Sequence, residues 1–102
     1  MRVVWSPLAL ERIEDIVRVI AADRPGAAER WVRAVFARAA QLRAYPESGQ
    51  MVPELNRSEV RQVLHPPYRL IYRIEAKRIL VLTVRHGREH LAPADIESRD
   101  AW

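Results

Sequence analysis

Cysteine is absent from this chain, which excludes disulfides and thiolate metal sites at once. That absence suits a reducing compartment without requiring one. Glycine occurs three times, at 26, 49 and 87. So scattered a set builds no glycine-rich phosphate loop. No apolar run approaches the roughly 20 residues that a membrane span requires. His65, His86 and His90 lack metal-ligand spacing and no cluster of acids supports them, so neither a metal site nor a cofactor is expected. Met1-Arg2-Val3-Val4-Trp5 runs straight into structured-looking sequence with no signal peptide, and the expected location is cytoplasmic. Internal repeats and low-complexity segments are missing too.

Lysine is nearly absent: Lys77 is the only one, so all the other members of the 17 Lys+Arg are arginine, set against 13 Asp+Glu. Arginine suits fixed, bidentate contacts to carboxylate or phosphate. The net charge of +4 favours an acidic partner, either nucleic acid or an acidic protein. A length of 102 residues fits one domain around one hydrophobic core.

Local patterns divide the chain into short elements. Arg2-Val3-Val4-Trp5 reads as a first strand. Ser6-Pro7 opens a helix, with serine as N-cap and proline at the first helical position. Leu10, Ile13, Val17 and Ile20 line one face of it. Asp23-Arg24-Pro25-Gly26 breaks this helix and starts a second. There the stripe runs through Ala28, Val32, Val35, Ala39 and Leu42, with Trp31 and Phe36 beside it. So short a connection predicts a helical hairpin. Pro46-Glu47-Ser48-Gly49 ends the second helix, and residues 50 to 58 read as polar and irregular.

Three strands follow. Glu59 to Leu64 is the first, interrupted by His65-Pro66-Pro67 because proline cannot donate to a ladder. Tyr68 to Glu75 and Arg78 to His86 are the others, joined through Ala76-Lys77. Side chains alternate along a strand, so Arg69 and Arg73 share one face while Leu70, Tyr72 and Ile74 share the other. The apolar face needs a core partner, with Tyr68 and Tyr72 packing there. The basic face is expected to lie open to something anionic. The chain is therefore an α+β protein of order β-α-α-β-β-β, a helical hairpin packed on a small, mostly antiparallel sheet. Residues 1–88 form the domain, and residues 89–102 form a tail that is either a short helix or disordered.

These words, in this order, resemble the RelE/ParE toxin superfamily of bacterial type II toxin–antitoxin systems. The matching stretches are Trp5-Ser6-Pro7 with Ala9 and Leu10, Asp15-Ile16, Ile20-Ala21, Ala27-Ala28 and Tyr45-Pro46-Glu47-Ser48-Gly49. Pro53-Glu54-Leu55, Tyr68-Arg69-Leu70-Ile71-Tyr72 and Val84-Arg85-His86-Gly87-Arg88 complete them. The resemblance implies a small toxin neutralised by a cognate antitoxin, whose disordered C-terminal segment folds around it. A groove of the helical hairpin beside the sheet edge is where that segment would lie.

Two activities occur in the superfamily. ParE-like members inhibit DNA gyrase, and the His86-Gly87-Arg88 ending is found among them. That branch implies a ParD-like, ribbon-helix-helix antitoxin, operator DNA bound only through that antitoxin, and no hydrolytic site. The target-binding residues would be Arg61, Arg69, Arg73, Arg85 and Arg88. RelE- and YoeB-like members instead cleave mRNA on the ribosome. Under that alternative Glu54 matches the glutamate, Arg69 the arginine and His86, loosely, the histidine of the catalytic set, serving as base, phosphate-stabilising cation and acid. The tyrosine that would follow the histidine is replaced by Gly87, and the paired lysines of RelE are missing. The ParE-like reading is the expected one.

Overall fold

The computed structural model of the protein describes residues 1–96. Strand β1 (Arg2–Trp5) leads into helix α1 (Pro7–Asp23), then α2 (Pro25–Ala40). Two short 3-10 turns, Gln41–Arg43 and Pro46–Ser48, precede β2 (Gln50–Met51). Strands β3 (Val60–His65), β4 (Tyr68–Ile74) and β5 (Arg78–His86) follow, then one turn of helix, α3 (Pro93–Ile96). The sheet order is β1-β5-β4-β3-β2. Only the β1–β5 pair is parallel; the other pairs are antiparallel.

The α1 start follows the sequence closely. Ser6 Oγ accepts the Ala9 N–H at 3.0 Å, and Pro7 occupies the first turn. Arg24 alone separates the two helices, and its N–H closes α1 on the Ile20 carbonyl at 2.8 Å. Both helices cover one face of the sheet. Ala9, Ile13, Trp31, Val35, Ala39 and Leu42 pack there against Val63, Leu70, Tyr72, Ile79, Val81 and Val84. Each fully buried leucine, isoleucine or valine contributes about 1.5–3 kcal/mol. The buried positions of α2 include Trp31 rather than Val32, which is half-buried. Trp31 sits edge-on to Tyr68, with ring centroids 5.4 Å apart.

The segment 50–58 is not wholly irregular. Gln50 and Met51 pair with Gln62 and Arg61 to form an edge strand. Two residues carry no readable periodicity, so tertiary pairing alone creates this element. Strand β3 also runs one residue past its predicted end, through His65, which pairs with Tyr68 across the Pro66-Pro67 turn.

Two polar knots hold the sheet to its surroundings. The Tyr72 hydroxyl donates to the Pro46 carbonyl at 2.6 Å and accepts the Gly49 N–H at 3.0 Å, tying the post-α2 turns to the sheet. Gly49 permits this by its small size. A Cβ there would lie 2.6 Å from Tyr72 Oη and 2.7 Å from the Gln62 carbonyl oxygen. The second knot is Ser6, fully buried, whose hydroxyl donates to the Leu82 carbonyl at 2.8 Å.

Leu82 marks an irregularity that matters for the site. Ile71 pairs with Thr83 but Tyr72 pairs with Val81, so Leu82 is an extra residue, a β-bulge. Strict alternation would put Arg85 with Ile79 and Val81, beneath the helices. The bulge moves it to the other face, directly opposite Arg69.

That second face has its own apolar cluster: Val4, Val52, Val60, Ile71, Leu80 and Leu82, overlain by Leu55, Leu91 and Ile96. The expectation of an open basic face is therefore corrected. The loop after β2 and the segment after β5 cover it, because Leu55, Leu91 and Ile96 supply apolar surface for Ile71 and Leu80 to pack against. Within that segment Pro93–Ile96 form the single helical turn α3. Residues 97–102 lie outside the described residues.

Two substitutions probe these knots by urea denaturation. Gly49→Ala lowers stability by about 1–3 kcal/mol because neither close neighbour has room to retreat. Ser6→Ala costs about 1–2 kcal/mol through loss of the helix cap. A change within experimental error in both variants contradicts the packing described.

Candidate functional site

The second face of the sheet, away from α1 and α2, gathers the charged residues of greatest interest. Arg69 projects from the middle of β4 and is 5% exposed. Its guanidinium meets the Glu54 carboxylate in a two-pronged pair, Nη1 to Oε1 at 3.0 Å and Nη2 to Oε2 at 2.6 Å. Nη1 also donates to Gln62 Oε1 at 3.0 Å, and Nη2 to the Glu89 carbonyl at 2.6 Å. One side chain thus joins β4 to β3, to the loop after β2, and to the segment after β5. Arginine suits such a position because its planar fork presents several donors in fixed directions.

Arg85 stands opposite Arg69 in the register. Two like charges side by side on a sheet repel, so each needs its own acid. Arg85 finds Glu89 at 3.2 Å and Asp95 at 3.2 Å, and donates to the His90 carbonyl at 3.2 Å. Asp95 is 1% exposed and is also met by Arg12 of α1 at 3.4 Å. Its second oxygen accepts the Ala92 N–H at 2.8 Å, an acid three residues into α3 reaching back to cap its start. Arg73, further along β4, pairs with Glu75 at 2.7 Å and donates to the Ile96 carbonyl at 3.4 Å. Residues 89–96 thus form a strap whose carbonyls and carboxylates are held by arginines of the sheet.

These pairings set the protonation of the acids. The hydrogen bond from Arg69 holds Glu54 well below the ordinary carboxylate range, at about 2, overcoming the opposing effect of burial. For Glu75 burial pushes the pKa upward, but hydrogen bonds from Arg78 and Arg73 prevail and it is lowered. Burial raises the Tyr72 phenol, which stays a neutral donor.

The residues singled out from the sequence therefore divide. Glu54 and Arg69 come together as an ion pair. His86 does not join them: it pairs with Tyr68 in the register, on the helix-bearing face, with its ring edge-on to Tyr68 at 5.7 Å. Arg61 also faces the helix side, at the β2 edge, and donates to the Gly49 carbonyl at 3.0 Å. Arg88 is exposed in the turn after β5, where its N–H meets His86 Nδ1 at 3.3 Å. Arg12, Gln62, Glu89 and Asp95 were not singled out, yet they complete the network. For Asp95 a signal existed, since Pro93 followed by an acid two residues on is a helix-start pattern. Among the described residues no group of three or more His, Asp or Glu could hold a metal ion.

Comparison with known proteins decides the family. The model of the "ParE toxin of type II toxin-antitoxin system, parDE" matches residues 3–91. The chain belongs to the ParE toxin family. A solved structure described as the chromosomal ParDE TA system from P. aeruginosa shares the fold. Its TM-score is 0.72 at 20% identity, over 84% of this chain and 95% of that one. Comparison with curated proteins finds no match. The ParE match ends at Leu91, so it takes in every residue of the Arg69 cluster but not Asp95 or the rest of α3. Among the described residues, no helix is long and apolar enough to cross a membrane.

The Glu54 pair predicts a pH dependence. A carboxylate with a depressed pKa adds stability above its unfolded value, 4.5, and loses it as pH falls toward the folded value, about 2. The urea midpoint should therefore drop across that acid window in the native protein and drop less in Glu54→Gln. Parallel pH curves for the two proteins contradict the pairing.

Proposed function

We propose that this ParE-family toxin acts by binding DNA gyrase, without hydrolytic chemistry of its own, and that a ParD-like antitoxin neutralises it. The observation that carries the reading is the disposition of Glu54, Arg69 and His86. A carboxylate with a pKa of about 2 is too weak a base to take a proton from a ribose hydroxyl near neutral pH. The Arg69 guanidinium is buried and already spent on acceptors of the chain itself. His86 faces the helix side, so it is not placed to return a proton to anything held at Arg69. No acid, base and phosphate-binding cation converge, which supports binding over cleavage. Ribosome-dependent mRNA cleavage is the competing outcome.

The helix-bearing side supports an antitoxin contact. A cleft of about 420 Å³ lies where β1, the edge strand, meets α2, lined by Val3, Trp5, Phe36, Ala39 and Ala40, with Arg2 and Arg43 also contributing. The Trp5 and Phe36 rings meet within it at a tilt, with centroids 4.5 Å apart and planes at 47°. An apolar lining with cationic neighbours fits an amphipathic acidic segment, the kind of tail a basic toxin attracts. In this reading operator DNA is reached through the antitoxin alone.

Purified toxin in molar excess should block supercoiling of relaxed plasmid by gyrase, or trap cleaved gyrase–DNA complexes, while leaving translation in a cell-free extract intact. Added antitoxin should reverse the block. Unimpeded supercoiling together with cut mRNA in translating extracts would falsify the gyrase reading and restore Glu54, Arg69 and His86 as a catalytic set. Phe36→Asp should weaken antitoxin rescue while leaving gyrase inhibition in place.

A further inference from the structure

Of the arginines expected to meet a target, Arg69, Arg73 and Arg85 are engaged by carboxylates of the chain itself. Cations left without an acid gather elsewhere. Among the described residues, Arg2, Arg38, Arg43 and Arg61 have no carboxylate in ion-pair reach. All of them border the turns that follow α2. Arg43 belongs to the first turn, and the Met1 ammonium donates to its carbonyl at 3.4 Å. Arg2 lines the Trp5–Phe36 cleft together with Arg43. Arg38 reaches the Gln41 side chain at 3.1 Å, and Arg61 donates to the Glu47 and Gly49 carbonyls at 3.4 and 3.0 Å. Glu47 is the only acid between positions 41 and 49.

Apolar side chains are left bare at the same place. Tyr45 is 70% exposed and Met1 47%. With Pro46 and Ile74 they line a cleft of about 450 Å³ at the end of the sheet where β1 begins and β4 finishes. The backbone holds Tyr45 in position: its N–H meets the Gln41 carbonyl at 3.2 Å, and its carbonyl accepts the Ser48 N–H at 3.1 Å. The Tyr72 hydroxyl ties these turns to the sheet, so the exposed ring stands on a fixed base. A bare tyrosine among guanidiniums is the composition that anchors protein interfaces, where both residue types are enriched. This cleft adjoins the one of Trp5 and Phe36, because Met1 lines the first, Arg43 lines the second, and the two residues are hydrogen-bonded.

We propose that Tyr45, Met1 and Arg43 form the surface by which the toxin docks on its target, and that this surface seats an apolar side chain protruding from an acidic protein. The cleft supplies the apolar seat, and the arginines without acids supply the charge complement. A second copy of this chain brings the same cations, so like charges oppose self-pairing through this patch. The position of the surface also gives neutralisation a steric basis. An antitoxin segment in the Trp5–Phe36 cleft lies against Arg43 and covers the edge that the target needs. That the target is gyrase rests on the proposed function; the place of the surface does not.

Two readouts on the full chain test this: the toxin concentration for half-inhibition of gyrase supercoiling, and growth arrest at equal expression without antitoxin. Tyr45→Ala removes an exposed ring and leaves no cavity, so its urea midpoint should stay native. It should raise the half-inhibiting concentration about tenfold, and Arg43→Gln about threefold, with growth arrest weakened in both. Glu47→Gln removes the acid that faces an acidic partner and should lower that concentration about twofold. Val19→Ser, at a position 71% exposed on α1, and Arg30→Gln at the start of α2 should change neither readout. Antitoxin affinity should hold in Tyr45→Ala and fall in Arg43→Gln, because Arg43 lines the Trp5–Phe36 cleft and Tyr45 does not. Native potency of Tyr45→Ala in both assays overturns the surface, even where the native toxin blocks gyrase. Arrest that Tyr45→Ala abolishes, by a toxin that leaves supercoiling untouched, supports the surface and removes gyrase as its target. Binding of a labelled single-stranded oligonucleotide, or formation of a toxin dimer, that Tyr45→Ala abolishes gives the patch to another occupant and overturns the protein-target assignment.

Discussion

A guanidinium buried on the side of the sheet without helices organises this protein. Taking an arginine out of water costs several kcal/mol unless its donors find acceptors. Arg69 meets that demand at its two terminal nitrogens by recruiting them from three places: Gln62 on the next strand, Glu54 in the loop after β2, and the Glu89 carbonyl beyond β5. Neither the loop nor the strap has regular structure of any length to hold it in place. Their positions follow from the need to satisfy Arg69 and from the apolar contacts of Leu55, Leu91 and Ile96. A sheet with one helical layer thus acquires a second covered face.

The arrangement depends on a one-residue irregularity. Because Leu82 is extra in β5, the residues on either side of it alternate out of phase, and Arg85 arrives beside Arg69 instead of under the helices. The displaced Leu82 carbonyl is answered by Ser6, which also caps α1. A single hydroxyl thereby links the start of the helical layer to the strand distortion that shapes the opposite face. The pairing of two arginines in turn requires acids, and Glu89 and Asp95 draw the strap across the sheet. What resembles surface charge in the sequence is an internal salt network in the fold, and that network supports reading the molecule as a binding toxin.

Much of the architecture was legible in the sequence. Ser6-Pro7 marks a helix start that the structure keeps, Asp23 to Gly26 marks the break between helices, and Arg78 to His86 is a strand from end to end. Those signals are local: a cap, a proline, an unbroken apolar alternation. The two-residue β2 has no such signal, because its existence depends on Gln62 and Arg61 lying alongside. The bulge at Leu82 was hidden for a related reason: a run of apolar residues reads the same with or without an inserted one. Of the site, the pairing of Arg69 with Glu54 was within reach of family resemblance, which set both in one pattern. Its burial was not, since an arginine alternating with apolar residues reads alike whether it faces solvent or the chain's own carbonyls.

The central claim is that Arg69 and Glu54 stabilise the fold as a unit, and a double-mutant cycle tests it directly. Urea denaturation of Arg69→Met, Glu54→Gln and the double variant gives the coupling energy. The account predicts that either single change is strongly destabilising, that the double costs much less than their sum, and that the coupling is about 1–3 kcal/mol. Coupling near zero, with Arg69→Met as stable as the native protein, would contradict it.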